Sequence, residues 1–312
     1  MLLPQEGNPS LPAVTLNLPY HENAMKAGYV AIIGKPNVGK STLLNLILGT
    51  KISAVTQKPQ TTRSRILGIL SEGDHQACFI DTPGMIQPEY ELQELMVKQI
   101  RKAIMDADCV VWMIDPWFKY NHIYKEFMRL AKTVPKIIAI NKIDLVAKSE
   151  LLPLIDRLRS TEISEIVPIS ALSGEGVEAL KEVIFKCLPE SDFLYPKEDV
   201  SDAPQRFFVA DFIREKIFET FKKEIPYASC VIIDEFKERE KGKDYIRAVI
   251  YVERKSQKAI LIGRQGAALK KVGEKARREI EDFLDKPVFL ELWVKVKEKW
   301  RKNKKFLKEL GY

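Results

Sequence analysis

Residues 34–41 read Gly34-Lys35-Pro36-Asn37-Val38-Gly39-Lys40-Ser41, which satisfies G-x-x-x-x-G-K-[ST], and the flanks supply the strand and helix this motif requires. Ahead of it residues 29–33 (YVAII) form a short apolar run of strand type. Behind it residues 42–48 (TLLNLIL), opening on Thr42, have the spacing of a buried helix. Strand, glycine loop and helix N-terminus in that order make a cradle for a polyphosphate. Gly34 and Gly39 let the backbone turn its N–H groups inward, the helix end adds partial positive charge, and Lys40 reaches the β- and γ-phosphates. Ser41 is placed to hold Mg²⁺. The plain alternative is a glycine turn between strand and helix.

Downstream, apolar runs alternate with helical patterns, which predicts a doubly wound, mostly parallel α/β sheet with its motifs at the carboxyl ends of strands. Residues 77–80 lead into Asp81-Thr82-Pro83-Gly84, residues 109–114 form a second buried strand, and residues 136–140 deliver Asn141-Lys142-Ile143-Asp144. Asp81 is placed to hold Mg²⁺ through water. Gly84 can offer its N–H to a γ-phosphate because no side chain blocks the approach. Asp144 can accept from N1–H and the 2-amino group of guanine, donors that adenine lacks, and a site built this way rejects the wrong base by ~10⁴ or more. Asn141 and Lys142 brace that pocket. Ser170-Ala171-Leu172, after the apolar residues 166–169, fits a loop that touches the base through backbone N–H. The nucleotide expected in this cradle is therefore GTP or GDP, and an adenine-specific kinase or ATPase is disfavoured. Between the first helix and the strand at 66–70 lies QKPQTTR (57–63). A threonine hydroxyl here can complete Mg²⁺ coordination when the γ-phosphate is present; Thr62 is the first choice and Thr61 the alternative.

This order of motifs resembles the translation-factor-related GTPases, in the branch where DTPG is followed by a hydrophobic residue. Met85 stands where Ras-like proteins have a glutamine that positions water. The resemblance implies slow intrinsic turnover, with Lys40, Thr62 and Gly84 as the catalytic groups, and Asn37 matches the asparagine that in some relatives helps hold K⁺. The threonine followed by arginine at 62–63 is how this switch ends in that wider family, hence the preference for Thr62.

The 312 residues, 46% hydrophobic and 30% charged, suit two ordinary domains, and no apolar run approaches the roughly 20 residues of a membrane span. Cys78, Cys109, Cys187 and Cys230 form no CxxC pair, which favours thiols in a reducing cytosol. The first residues carry prolines at 4, 9, 12 and 19; residues 1–25 read as a disordered arm without secretory features, and Met25 as an alternative start. Charge is uneven. Residues 201–312 hold 28 Lys+Arg against 19 Asp+Glu, a net of +9, and residues 1–200 hold 22 against 24, a net of −2. Basicity confined to the C-terminal part points to nucleic acid or an anionic surface.

A Pro-rich acidic stretch within 189–204 reads as a linker between a first domain at 26–188 and a second at 205–312. The second shows a helix at 207–223, alternating strands at 229–236 and 245–253, a short helix at 257–261, Gly263-Arg264-Gln265-Gly266, a helix to 283 and a strand at 288–295. The order α-β-β-α-α-β, with GxxG joining adjacent helices, is that of a type II KH domain, an α+β RNA-binding fold. Ile262, Gly263, Arg264, Gln265, Gly266, Lys270, Lys271, Lys275 and Arg278 are the candidate RNA contacts. Ile260, Leu261 and Ile262 are expected to partly floor the base groove, with Leu269, Val272, Phe283, Leu290, Leu292, Trp293 and Val294 in the core. The lysine-rich tail at 295–308 suits phosphate contact and an amphipathic helix packed on its own domain equally well.

A G domain followed by one KH domain, together with REKIFE (214–219), EIPY (224–227) and LELWVKVK (290–297), resembles the Era family of bacterial GTPases from about residue 25 to the C-terminus. The resemblance implies a cytoplasmic switch that binds 16S ribosomal RNA near its 3′ end and acts in 30S subunit assembly, with GTP favouring the RNA-competent state and peripheral contact with the inner membrane. The alternatives are a GTP-binding RNA scaffold with little turnover, or a peripheral-membrane GTPase in cell-cycle signalling. The tandem-G-domain family that also ends in a KH-like module is disfavoured by the single phosphate loop.

Overall fold

In the computed structural model, which describes residues 24–119, 122–159, 163 and 165–311, the glycine loop joins β1 (Lys26–Gly34) to α1 (Lys40–Leu48). There follow β2 (Ile66–Glu72), β3 (His75–Asp81), α2 (Glu91–Asp106), β4 (Cys109–Ile114), α3 (His122–Leu130), β5 (Lys136–Ile140), α4 (Lys148–Arg159), β6 (Glu165–Pro168) and α5 (Val177–Cys187). The strands form one sheet in the order β2-β3-β1-β4-β5-β6, with only β2 antiparallel to its neighbour. Every residue of β4 and β5 is buried, as expected of parallel strands covered on both faces. Side chains of β1 alternate between two cores: Val30 and Ile32 pack with Leu43, Leu44 and Ile184, while Ala31 and Ile33 pack with Ile100, Ile104 and Leu154. Because β1 lies between β3 and β4, the loops after β1, β3 and β5 open at one edge of the sheet, the usual ligand crevice of such folds.

The segment at 189–204 is strapped to the sheet. Ala27 N–H donates to the Pro189 carbonyl and Ile69 N–H to that of Val200. Buried Gln76 accepts on Oε1 from the N–H groups of Leu194 and Tyr195 at 2.7 and 3.0 Å. One satisfied amide thus holds the connection against β3. Of the arm expected over 1–25, residues 1–23 lie outside the described residues, and Met25 accepts from Ser191 N–H.

The second unit comprises α6 (Gln205–Thr220), α7 (Ile225–Ala228), β7 (Cys230–Lys237), β8 (Asp244–Val252), α8 (Lys255–Ile262), α9 (Ala267–Leu284), β9 (Val288–Val296) and α10 (Lys304–Glu309). Its sheet runs β7-β8-β9, antiparallel then parallel, and the α8–α9 pair makes the crossover that a parallel pair needs. The expected order is present, with short α7 and α10 added. One core expectation is corrected. Trp293 is 52% exposed, because the period of two along β9 puts Val294 inside and Trp293 outside. Leu290 and Leu292, only partly buried, line a groove. In the tail, packing decides the apolar positions: Trp300, Phe306 and Leu307 join Leu92 and Met96 of α2 in a third core, and the Trp300 indole N–H donates to the Ala228 carbonyl at 2.8 Å. The tail therefore packs on the first unit as well as on its own.

Candidate functional site

The cradle has the conformation its glycines allow. Gly39 has φ 104°, and a Cβ there would lie 2.2 Å from the Asn141 side chain, so no other residue fits. Asn141 donates to the Val38 carbonyl at 2.7 Å and accepts from Ala171 N–H at 2.8 Å. One buried amide thereby ties the phosphate loop, the NKID loop and the loop at 170–172 together. Lys40 is buried, its ammonium donating to the carbonyls of Gly34 at 3.3 Å and Lys35 at 3.1 Å. Burial lowers its pKa to about 8, against the opposing pull of Asp81. Lys35, Pro36 and Asn37 form the outer lip, and the Asn37 amide donates to the Gln57 carbonyl at 2.8 Å. Thr42 lines the same cavity from the first turn of α1.

Ser41 donates to Asp81 Oδ2 at 2.7 Å, and its hydroxyl lies 3.0 Å from that of Thr62. Thr61 instead pairs with Thr56 and donates to the Lys58 carbonyl, so Thr62 is the threonine whose hydroxyl faces Ser41. Burial raises the Asp81 pKa, with the Lys40 charge and the Ser41 and Ser53 hydroxyls opposing it. Its Oδ1 is buried and accepts no hydrogen bond. An unsatisfied carboxylate oxygen beside two hydroxyls is a donor set suited to a hard divalent cation such as Mg²⁺. Ser53, absent from the sequence reading, donates to Asp81 at 2.9 Å; its loop is held by Asn45, which no motif marks. On the far side Thr82 donates to the Ile32 carbonyl and Met85 N–H to that of Gly34. With Pro83 between them, these bonds press Gly84 onto Pro36, where a Cβ would come within 2.7 Å.

At the base end Lys142 has φ 68°, Asp144 is exposed in a short 3₁₀ turn, Ser170 is buried and Leu172 is exposed. The two segments expected to read guanine are held together by the bonds from Ala171 N–H to Asn141 and from Ile143 N–H to the Ile169 carbonyl.

In the second unit Gly263 (φ 73°) and Gly266 (φ 79°) bracket the GxxG turn, and a Cβ on Gly263 would lie 2.9 Å from Ala268 N. Beside it runs a groove of about 400 Å³ between α9 and β9, lined by Gly266, Leu269, Lys270, Gly273, Leu290 and Leu292 among others. Gly273 is new. Lacking a side chain mid-helix, it holds the groove open against Leu292, 3.3 Å from where its Cβ would sit. The floor expected from residues 260–262 is corrected: Leu261 is fully buried and Ile260 is half exposed, with Ile262 partly buried in the core. Arg264, Gln265 and Lys271 are exposed. Lys275 and Arg278 lie elsewhere, in a cleft between the two units with Lys51, Lys216 and Glu279.

The loop at 51–63 makes several contacts with the second unit. Ala54 and Val55 N–H donate to Asp211 and Glu215 on α6, each at 3.3 Å. Lys58 donates to the carbonyls of Phe218 and Phe221, and Arg214 to that of Thr61. Arg63, 1% exposed, donates to the carbonyls of Ser229, Pro226 and Tyr227 at 2.8, 2.9 and 3.3 Å, and its guanidinium lies over the Phe218 and Trp300 rings. Sequence reading noted Arg63 only as the neighbour of Thr62. Nothing in its spacing announces partners more than 150 residues away.

Comparison with known proteins agrees with this geometry. Residues 29–142 match a family described as 50S ribosome-binding GTPase, and residues 224–301 match the KH domain. The chain is 46% identical to GTPase Era of Geotalea uraniireducens over 93% of its length and 99% of that protein's. It is 45% identical to the chloroplastic GTPase ERA-like of Arabidopsis thaliana, over 92% of this chain and 69% of the relative. Among solved structures it resembles an Aquifex aeolicus Era variant bound to GDP·AlF4⁻ (TM-score 0.89, 40% identity, 92% and 99% coverage). It also resembles Era in complex with MgGDPNP and nucleotides 1506–1542 of 16S ribosomal RNA (TM-score 0.88, 40% identity, 92% and 99% coverage).

Proposed function

The chain belongs to the Era family of GTPases, and we propose that it is a GTP-hydrolysing switch that binds 16S ribosomal RNA near its 3′ end during assembly of the 30S subunit. Residues 34–42 bind the phosphates, Asp144 and the loop at 170–172 select guanine, and Ser41, Thr62 and Asp81 hold Mg²⁺. The cation, when bound, neutralises charge on the β- and γ-phosphate oxygens. Lys40 adds positive charge at the same place, and Gly84 offers backbone N–H. Met85 supplies no polar group to orient water, so turnover is slow. Asn37 would offer its side-chain oxygen to K⁺, in which case hydrolysis will run faster in potassium than in sodium buffer. The observation that carries the switch reading is that Thr62 and Arg63 are consecutive: one faces Ser41 at the cradle, the other is buried in the KH unit. A ligand that draws Thr62 toward the cradle biases the seating of Arg63, which gives the two sites a shared element. The place of action is cytoplasmic. No helix among the described residues is long and apolar enough to cross a membrane, and the protein's contact with the inner membrane is peripheral.

The test is the affinity for the 3′-terminal segment of 16S RNA, at fixed salt, with a GTP analogue and with GDP. Tighter binding with the analogue supports the switch; equal binding leaves two independent sites, and no binding in either state removes the RNA reading.

A further inference from the structure

Strand β9 is an edge strand with two unlike faces. Leu290 and Leu292 point into the α9–β9 groove, whereas Phe289, Glu291 and Trp293 point to the opposite side of the sheet. There Phe289 and Trp293 are 56% and 52% exposed. The Tyr245 ring, paired with Phe289 across β8–β9, stacks on it at 6.0 Å with 13° between the planes. Exposed aromatics are ordinarily mobile, but these are anchored. Glu291, between them, accepts from the Tyr245 hydroxyl and from the Trp293 indole N–H, the latter at 2.9 Å. The polar ends of both rings are thus satisfied inside the protein, leaving flat ring faces toward solvent. The tail covers only the other end of this face, where Phe306 packs edge-on against Tyr251.

We propose that this outer sheet face, built on Tyr245, Phe289 and Trp293, stacks unpaired RNA bases, extending the contact of a strand that passes from the groove around the β9 edge. The proposal rests on the RNA reading of the groove. RNA is the occupant for three reasons. The face shares its strand with the groove, it sits in the segment 201–312 that carries a net charge of +9, and rigid, uncharged ring faces are what sequence-tolerant base stacking uses. The carboxylates on the face do not oppose a polyanion freely, since Asp234 and Glu235 are paired with Arg247 and Glu291 with the two rings.

The experiment compares two single-stranded RNAs from the 16S 3′ end: one of about four nucleotides, which the GxxG groove can hold alone, and one of roughly sixteen. In wild type the longer RNA binds more tightly. Trp293→Ala and Phe289→Ala should each weaken the longer RNA by about tenfold, leave the shorter unchanged, and leave the slope of log affinity against log salt unchanged, because stacking releases no counterions. Trp293→Tyr should restore most of the loss. Full affinity of Trp293→Ala for the longer RNA, the result expected if the face docks a protein instead, overturns the proposal while leaving the groove intact. Failure of wild type to bind either RNA overturns the groove reading and this one together.

Discussion

Lys40 and Asp144 show how single residues set chemistry here. Burial holds the Lys40 ammonium to a pKa of about 8, against an ordinary value of 10.5, whereas a phosphate beside it favours the charged form. Nucleotide binding should therefore take up protons at pH 8, approaching half a proton per site, and affinity should fall as pH rises past 8. Calorimetry in buffers of differing ionisation enthalpy measures the uptake directly. The same depressed pKa means the unfolded chain binds more protons than the folded one between about pH 8 and 10.5, so this group alone makes stability rise with pH across that window. Lys40→Ala should abolish GTP binding. Asp144→Asn exchanges an acceptor for a donor and should cost guanine affinity on the order of 10⁴ while improving xanthine nucleotide, which a competition assay with both would report.

At the scale of elements, the GxxG turn and α9 carry the next expectations. Gly263→Asp puts a Cβ against Ala268 and a carboxylate where sugar-phosphate must approach. RNA affinity should fall at least about tenfold with GTP affinity unchanged, by parallel titration of the two ligands. Lys270→Ala, in the groove, should reduce the salt dependence of RNA binding by roughly 0.7 units. Lys275→Ala should not, because α9 turns Lys275 toward Glu219 at 3.3 Å. Charge in the sequence marked both lysines alike; helical periodicity relative to the packed face, occupied by Val272, Ala276 and Ile280, separates them.

At the scale of the whole molecule, the switch loop joins the two units through a buried arginine. Arg63→Ala leaves up to three carbonyls facing the interface without their donor, at about 1–3 kcal/mol for each left buried and unpaired, and removes the filler between Phe218 and Trp300. Cradle and groove are otherwise untouched. RNA affinity should then lose its dependence on GTP analogue versus GDP, while the affinity for each nucleotide stays within a few-fold; preserved dependence would assign the coupling to another contact.

Local chemistry was legible from the chain alone. A phosphate loop, DTPG, NKID and GxxG each work through residues a few positions apart on a strand–turn–helix or helix–turn–helix, so spacing carries their geometry, and the parallel sheet and the KH order followed from the alternation of apolar runs. Which threonine faces Ser41, how Ser53 and Asn45 brace Asp81, which side of α9 lines the groove, that Trp293 is outside and Trp300 inside, and that Arg63 crosses to α7 were decided only in three dimensions. Each depends on a partner distant in sequence or on which face of an element the packing buries. A side chain's type limits its possible partners, but the fold chooses among them.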